Sequence, residues 1–175
     1  TVGGNLSVNC ATITTSAALQ SSGSSGLSLT ATAGSVTAGA NLSTTTNGGN
    51  IAIAASSSYS GTGTVSSNGN TSINASAITV GATITAAGAS GVLLKADAIA
   101  VNQDVSATAG AGTVTIAPAT SNLQIDLGTE TSGRLSLQAA ELNRLLASAV
   151  RIGEVGGNNS GTVSYTHLRA HETEA

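Results

Sequence analysis

Asp104 and Asp126 stand 22 residues apart. Two carboxylates gathered in a cleft are what glycosidic-bond hydrolysis asks for, one as acid and one as base or nucleophile. In a repeat of about that length the two would stack as neighbours, but neither has a basic or aromatic companion close in sequence. The chain's only aromatics are Tyr59 and Tyr165, so a sugar cleft would lack its usual platforms. The pair therefore reads as solvated; the other acidic residues before the C-terminal stretch are Asp97, Glu130, Glu141 and Glu154. His167 and His171, at i and i+4 with Glu172 beside them, form half of a zinc pattern without the glutamate placement of His-Glu-x-x-His. Cys10 is the single cysteine and has no internal disulfide partner. Between Val8 and Ile13 it reads as a small buried hydrophobe. Serine is abundant, but no Gly-x-Ser-x-Gly elbow occurs, and neither does a Gly-Gly-x-Gly-x-Asp calcium repeat. Several Asn-x-Ser triplets, Asn5-Leu6-Ser7 among them, match the glycosylation pattern, as chance allows in so Asn- and Ser-rich a chain. No catalytic, cofactor-binding or metal-ligating set is expected.

What must position these residues is a phrase that returns along the chain: glycine, one or two variable residues, then apolar–polar–apolar. Its glycines are Gly4, Gly26, Gly49, Gly69, Gly91, Gly112, Gly133 and Gly161, at steps of 22, 23, 20, 22, 21, 21 and 28. Such a period marks a stacked repeat in which no unit buries its own apolar face and each neighbour supplies part of the core. Within each period two or three short β-branched runs alternate, for example Ile73, then Ile78 and Val80, then Ile84. The expected fold is all-β, a parallel β-helix of about 21 residues per coil. A propeller blade needs about 40 or more residues, so it fits this period poorly. Seven coils at the strand spacing of about 4.8 Å would make a rod of about 34 Å. Inward Val, Ile and Leu would form columns, and outward Ser and Thr would form ladders. Asn5, Asn50 and Asn70 follow the phrase glycine, where Asn tolerates turn geometry and bonds local backbone.

The 28-residue step holds extra material, residues 139–149. Leu142, Leu145, Leu146 and Ala149 fall on one helical face, so a short amphipathic helix laid over the shaft is expected there, with Val150-Arg151-Ile152 alternating as a strand after it. Thr-x-Thr doublets, as in ice-binding β-helices, occur at 12–14, 30–32, 44–46, 62–64, 83–85 and 113–115. Their offsets from the phrase glycine differ, so they do not share a face.

Composition narrows the function classes. Aromatic residues are 1% and charged residues 7%, and no Lys, Arg, Asp, Glu or His precedes Lys95. Without a basic patch there is nothing for nucleic acid or an anionic membrane surface to hold. No apolar run approaches a transmembrane span. The periodic aliphatic set argues against a disordered Ser/Gly tract.

The last residues, 164–175, break with the Ser/Gly/Ala texture and carry both histidines. They resemble the translated sequencing-adapter tail that ends many metagenomic reading frames. The expected organisation is a β-helix repeat segment over 1–163, an internal piece of a longer protein, and a non-native tail over 164–175. Gly26-Leu27-Ser28-Leu29, Gly133-Arg134-Leu135-Ser136-Leu137, the strand Ile78-Thr79-Val80 and above all the stretch from Gly133 through Glu141-Leu142-Asn143-Arg144-Leu145 to Ile152-Gly153 resemble filamentous haemagglutinin-type and autotransporter-like bacterial exoproteins. The resemblance implies a right-handed β-helix shaft of a secreted or cell-surface adhesin. It would be exported through an outer-membrane transporter, as in two-partner secretion. It would meet host cells, matrix or other bacteria through regions outside this segment. Two alternatives share the fold: a carbohydrate-active lyase or hydrolase, and a phage tail-fibre-like structural repeat.

Overall fold

The structure is a computed structural model of the chain, and it describes residues 1–110, 112–153 and the backbone of 163–165. It is a three-sided parallel β-solenoid. The first coil is β1 (Leu6–Cys10), β2 (Ile13–Thr15) and β3 (Leu19–Ser21), and the second is β4 (Leu27–Ala31), β5 (Val36–Ala38) and β6 (Leu42–Thr44). The third is β7 (Ile51–Ala55), β8 (Ser58–Gly61) and β9 (Val65–Ser67). The fourth is β10 (Thr71–Asn74), β11 (Ala77–Val80) and β12 (Ile84–Ala86), and the fifth is β13 (Val92–Lys95), β14 (Ala98–Val101) and β15 (Val105–Ala107). Each strand pairs in parallel with its counterparts in the coils before and after, giving three sheets. β16 (Thr113–Ala117) continues the first sheet.

The register shows why the sequence winds this way. On the first sheet Leu6, Leu27, Ile51, Thr71, Val92 and Val114 are successive partners, at steps of 21, 24, 20, 21 and 22 residues. Two positions on, Val8, Leu29, Ile53, Ile73, Leu94 and Ile116 make a second column. The second sheet stacks Ile13, Val36, Tyr59, Ile78 and Ile99. The third stacks Leu19, Leu42, Val65, Ile84 and Val105. Alternation sends these side chains inward, where most are fully buried and form one continuous core. Each large aliphatic contributes about 2 kcal/mol by leaving water.

Polar atoms close the corners. Where the third sheet turns into the first, the buried Ser21 hydroxyl lies 2.7 and 2.8 Å from the Gly4 and Gly26 carbonyl oxygens. Thr44 donates to the Gly49 carbonyl at 2.7 Å and accepts from the Asn68 N–H at 3.0 Å. Ser67 sits 3.0 Å from the Gly69 carbonyl oxygen. In the fourth and fifth coils Ala86 and Ala107 take that inward place, and a methyl at Gly91 or Gly112 would stand 2.8 or 2.9 Å from the Ala107 methyl.

The asparagines act between coils rather than locally. Asn5 Oδ1 accepts the Ser25 N–H at 2.9 Å, Asn50 Oδ1 the Asn70 N–H at 2.7 Å, and Asn70 Oδ1 the Ser90 and Gly91 N–H groups at 3.0 and 3.1 Å. Their amides turn toward the following coil, where they take the Ser25, Asn70 and Ser90 N–H groups; the Gly91 N–H also bonds to the Gly88 carbonyl oxygen at 2.9 Å. The glycines at 23, 69 and 88 leave room for these amides: a Cβ there would stand 1.9, 2.5 and 2.3 Å from the asparagine oxygens.

The repeat glycines are not equivalent. Gly26 and Gly91 immediately precede their strands with φ of +79° and +66°, a conformation that favours glycine. Gly4, Gly49 and Gly69 sit two residues before theirs and Gly112 directly before β16, all without positive φ. Gly161 lies outside the described residues.

Three expectations need correction. Among the described residues five complete coils are present, not seven, because the phrase at Gly133 does not enter the first sheet. The partner of Val114 is Val150, 36 residues on. The expected helix over 139–149 is only α1 (Ala139–Leu142); Leu145 and Leu146 form β19, paired to β15, and Ala149–Ile152 is β20. A strand already waiting in the stack offers Leu145 a place in the aliphatic column of the third sheet, and that burial overrides helical periodicity. Cys10 is exposed, not buried, because it ends β1, the outermost strand of its sheet.

Candidate functional site

The irregular sixth coil holds Asp126, Glu130, Arg134, Glu141 and Arg144. After β16 come β17 (Ile125–Leu127) and β18 (Leu135–Leu137), paired in parallel only ten residues apart, Ile125 with Leu135. β17 also pairs with β21 (Val163–Tyr165), so a paired strand spans the boundary expected at residue 164. These three strands form a separate small sheet of order β18-β17-β21. They follow β14 in space without a ladder to it, so the second sheet is interrupted.

The side chains of the insert close that break. By alternation the N–H and C=O of Val101, the last residue of β14, point away from β11 toward the missing strand. Glu141 Oε1 accepts the Val101 N–H at 2.8 Å. The Arg144 guanidinium donates to the Val101 carbonyl oxygen. Glu141 Oε2 accepts the Gln138 N–H at 2.9 Å, which ties the start of α1. One carboxylate and one guanidinium thus supply the acceptor and donor that a neighbouring strand would have supplied. The Arg144 carbonyl also accepts the Val105 N–H at 2.9 Å, leading directly into β19.

Asp126 is buried in β17 and forms an ion pair with Arg134 at 2.9 Å. The Thr131 side chain and the Arg134 guanidinium hold its carboxyl below the ordinary carboxylate value, and burial opposes them. Asp97, in the turn before β14, accepts the Thr120 N–H at 2.7 Å and its hydroxyl at 2.6 Å.

Asp104 and Asp126 are not stacked neighbours. Asp104 is exposed at the entrance to β15 on the third sheet, and Asp126 belongs to the small sheet. The 22-residue spacing fails because the coil that should align them has lost its regular second strand. Asp126 does have a basic companion, eight residues on, which sequence distance hid because the tight connection folds Arg134 back. Glu130 is exposed on the rim of an open groove of about 470 Å³, lined also by Ala98, Ile99, Arg134 and Ser136.

Tyr59 lies in the core, 1% exposed, and burial pushes its hydroxyl up to about 12. It fits because residue 61 is glycine: a Cβ there would stand 2.2 Å from the Tyr59 hydroxyl oxygen. It offers no face to a sugar. His167, His171 and Glu154 lie outside the described residues, and among the described residues no three His, Cys, Asp or Glu side chains gather to hold a metal. The Thr-x-Thr doublets spread over different faces, with 12–14 on the second sheet, 83–85 on the third and 113–115 on the first.

The Glu141–Arg144 clamp was not singled out in the sequence. Its available signal was the capping pattern Gln138-x-x-Glu141, since a glutamate at the third helical position reaches back to the cap. Its second oxygen finds Val101, 40 residues away, and nothing local announces that.

The fold and this site define a class: a charge-poor parallel β-solenoid with one interrupted coil that is closed by charged side chains. No protein-family model, curated protein or solved structure matches the chain.

Proposed function

We propose that this chain is a non-catalytic shaft segment of a large secreted or cell-surface bacterial adhesin, holding binding regions away from the cell. The observation that carries the reading is the unbroken stack of five coils, in which side chains are spent on cohesion between coils. Inward columns bury the aliphatics, hydroxyls close the corners and asparagines stitch each coil to the next. A solenoid lengthens by about 4.8 Å per coil, so reach is set by repeat number. The same resemblance that led to the adhesin reading supports export through an outer-membrane transporter and contacts with host cells, matrix or other bacteria through regions beyond this segment. The carboxylates at 97, 126 and 141 are each held by protein donors, which favours the shaft over a lyase or hydrolase on the same fold.

The test is an antibody raised against the folded chain and applied to intact cells that express the encoding gene. Staining of unpermeabilised cells that disappears after external protease is the expected result. Staining only after permeabilisation would overturn the reading. Depolymerisation of pectin-like polymers that disappears in Asp126→Asn would replace it with the enzyme.

A further inference from the structure

The charged clamp closes the interrupted second sheet at Val101 but not two residues earlier. The Ala98 and Asn102 N–H groups bond to the Ser76 and Val80 carbonyl oxygens, so the even positions of β14 face β11 and the odd ones face away from it. Ile99, like Val101, therefore turns its N–H and C=O toward the displaced strand. No described group bonds to either, although Ile99 is only 6% exposed. The break is internal to the stack, with β14 before it and β17 and β18 after it. The open groove of about 470 Å³ lies at this break, lined by Ala98, Ile99, Glu130, Arg134 and Ser136. Ligand sites commonly enclose about 300–1,000 Å³. Arg134 has its charge met by Asp126, and Ser136 is tied to Thr131. Glu130 is exposed and has no partner among the described residues, so it is the groove's unbalanced charge.

From these observations we infer that the groove binds an extended peptide with a basic side chain, which pairs with β14 at Ile99 where the sixth coil supplies no strand. A parallel neighbour offers what Ile99 lacks. In a parallel ladder the N–H and C=O of one residue bond to a carbonyl and an N–H that lie two residues apart on the partner. Main-chain pairing of this kind gives affinity, and side-chain contacts give selectivity. The peptide residue opposite Ile99 points inward with it, and the residues on either side point outward, as Ala98 does. Glu130 lies exposed on that outer rim, so a Lys or Arg at an outward position answers its charge. A carbohydrate suits the groove less well, because no aromatic ring lines it and Tyr59 is in the core. The inference stands on the break in the second sheet and not on the adhesin reading.

The test titrates the full chain with acetyl-Thr-Lys-Ala-Lys-Thr-amide, read by calorimetry and by NMR at the Ile99 amide. Binding is expected, with hydrogen exchange slowed at Ile99 and unchanged at Ile73. The same peptide N-methylated at the residue after the alanine loses the donor for the Ile99 carbonyl. A peptide with glutamates in place of the lysines meets Glu130 with like charge. Each is expected to bind at least about tenfold more weakly, equal to about 1.4 kcal/mol. Glu130→Gln is expected to weaken the lysine peptide by the same factor, and circular dichroism and melting curves that match the parent establish that it folds. Absence of binding by the lysine peptide up to about 1 mM overturns the inference. Equal binding of the N-methylated peptide also overturns it, since the main chain is then not read. Equal binding of the glutamate peptide, or to Glu130→Gln, overturns the charge match on which the choice of peptide rests. Protection of Ile99 by maltotriose in place of the peptide would assign the groove to a sugar instead.

Discussion

The five regular coils and the sixth hold themselves together by different means. From β1 to β13 the chain uses no charged side chain until Lys95: aliphatic columns, hydroxyls at the corners and asparagine amides carry the cohesion. From β17 to β19 it uses two salt-bridging or clamping arrangements, Asp126 with Arg134 and Glu141 with Arg144 around Val101. The difference teaches what a stacked repeat costs to interrupt. In a regular coil the backbone groups of each strand meet the strands of the neighbouring coils. Where that strand is displaced, side chains with full charge replace it, because a buried unpaired N–H or C=O costs about 1–3 kcal/mol.

The largest break is expected in the regular region. Leu94 is fully buried between Ile73 and Ile116, and Leu94→Ala should lower stability by about 2–5 kcal/mol, read as a drop in the urea midpoint. The clamp comes next. Glu141→Gln keeps size but removes the charge and leaves one oxygen for two N–H groups. A loss of about 1–3 kcal/mol is expected, with hydrogen exchange accelerated at Val101 and unchanged at Ile73. An equal acceleration at both amides would erase the distinction between the two regions.

Asn70→Ala removes the acceptor of the Ser90 N–H, while the Gly91 N–H keeps its bond to the Gly88 carbonyl; it should cost about 1 kcal/mol, with exchange faster at Ser90 than at Gly91. The pH responses of the two regions should differ in direction. Tyr59 in the shaft has a folded-state pKa raised from 10.0 to about 12, so its contribution is intact below 10 and stability is lost as pH rises from there toward 12. Asp126 in the sixth coil has a lowered pKa, so its contribution is present at neutral pH and is lost as pH falls through that lowered value. Denaturant titrations of the parent, Tyr59→Phe and Asp126→Asn check both limbs. Tyr59→Phe should flatten the alkaline limb alone, and Asp126→Asn the acid limb alone, the smallest effect of the set.

The shaft was legible because its signal is local and repeated. Period-2 alternation puts Ile78 and Val80 on one face whatever lies around them, and a period near 21 makes each coil predict the next. The clamp was not legible. Glu141 and Val101 are 40 residues apart, and their meeting depends on where β18 and α1 leave the edge of β14. The helical spacing of Leu142, Leu145, Leu146 and Ala149 was real, but β15 offered Leu145 a strand partner and a buried place in the column.

By itself the sequence determined the β-solenoid, its period, its inward columns and the absence of charge over its first 94 residues, because each follows from short-range alternation and composition. Only the tertiary structure decided the number of complete coils, the asparagine bonds between coils, the glycine that makes room for Tyr59 and the charged clamp on Val101. Those depend on which backbone groups stacking leaves unpaired, and that is known only once one coil lies on another.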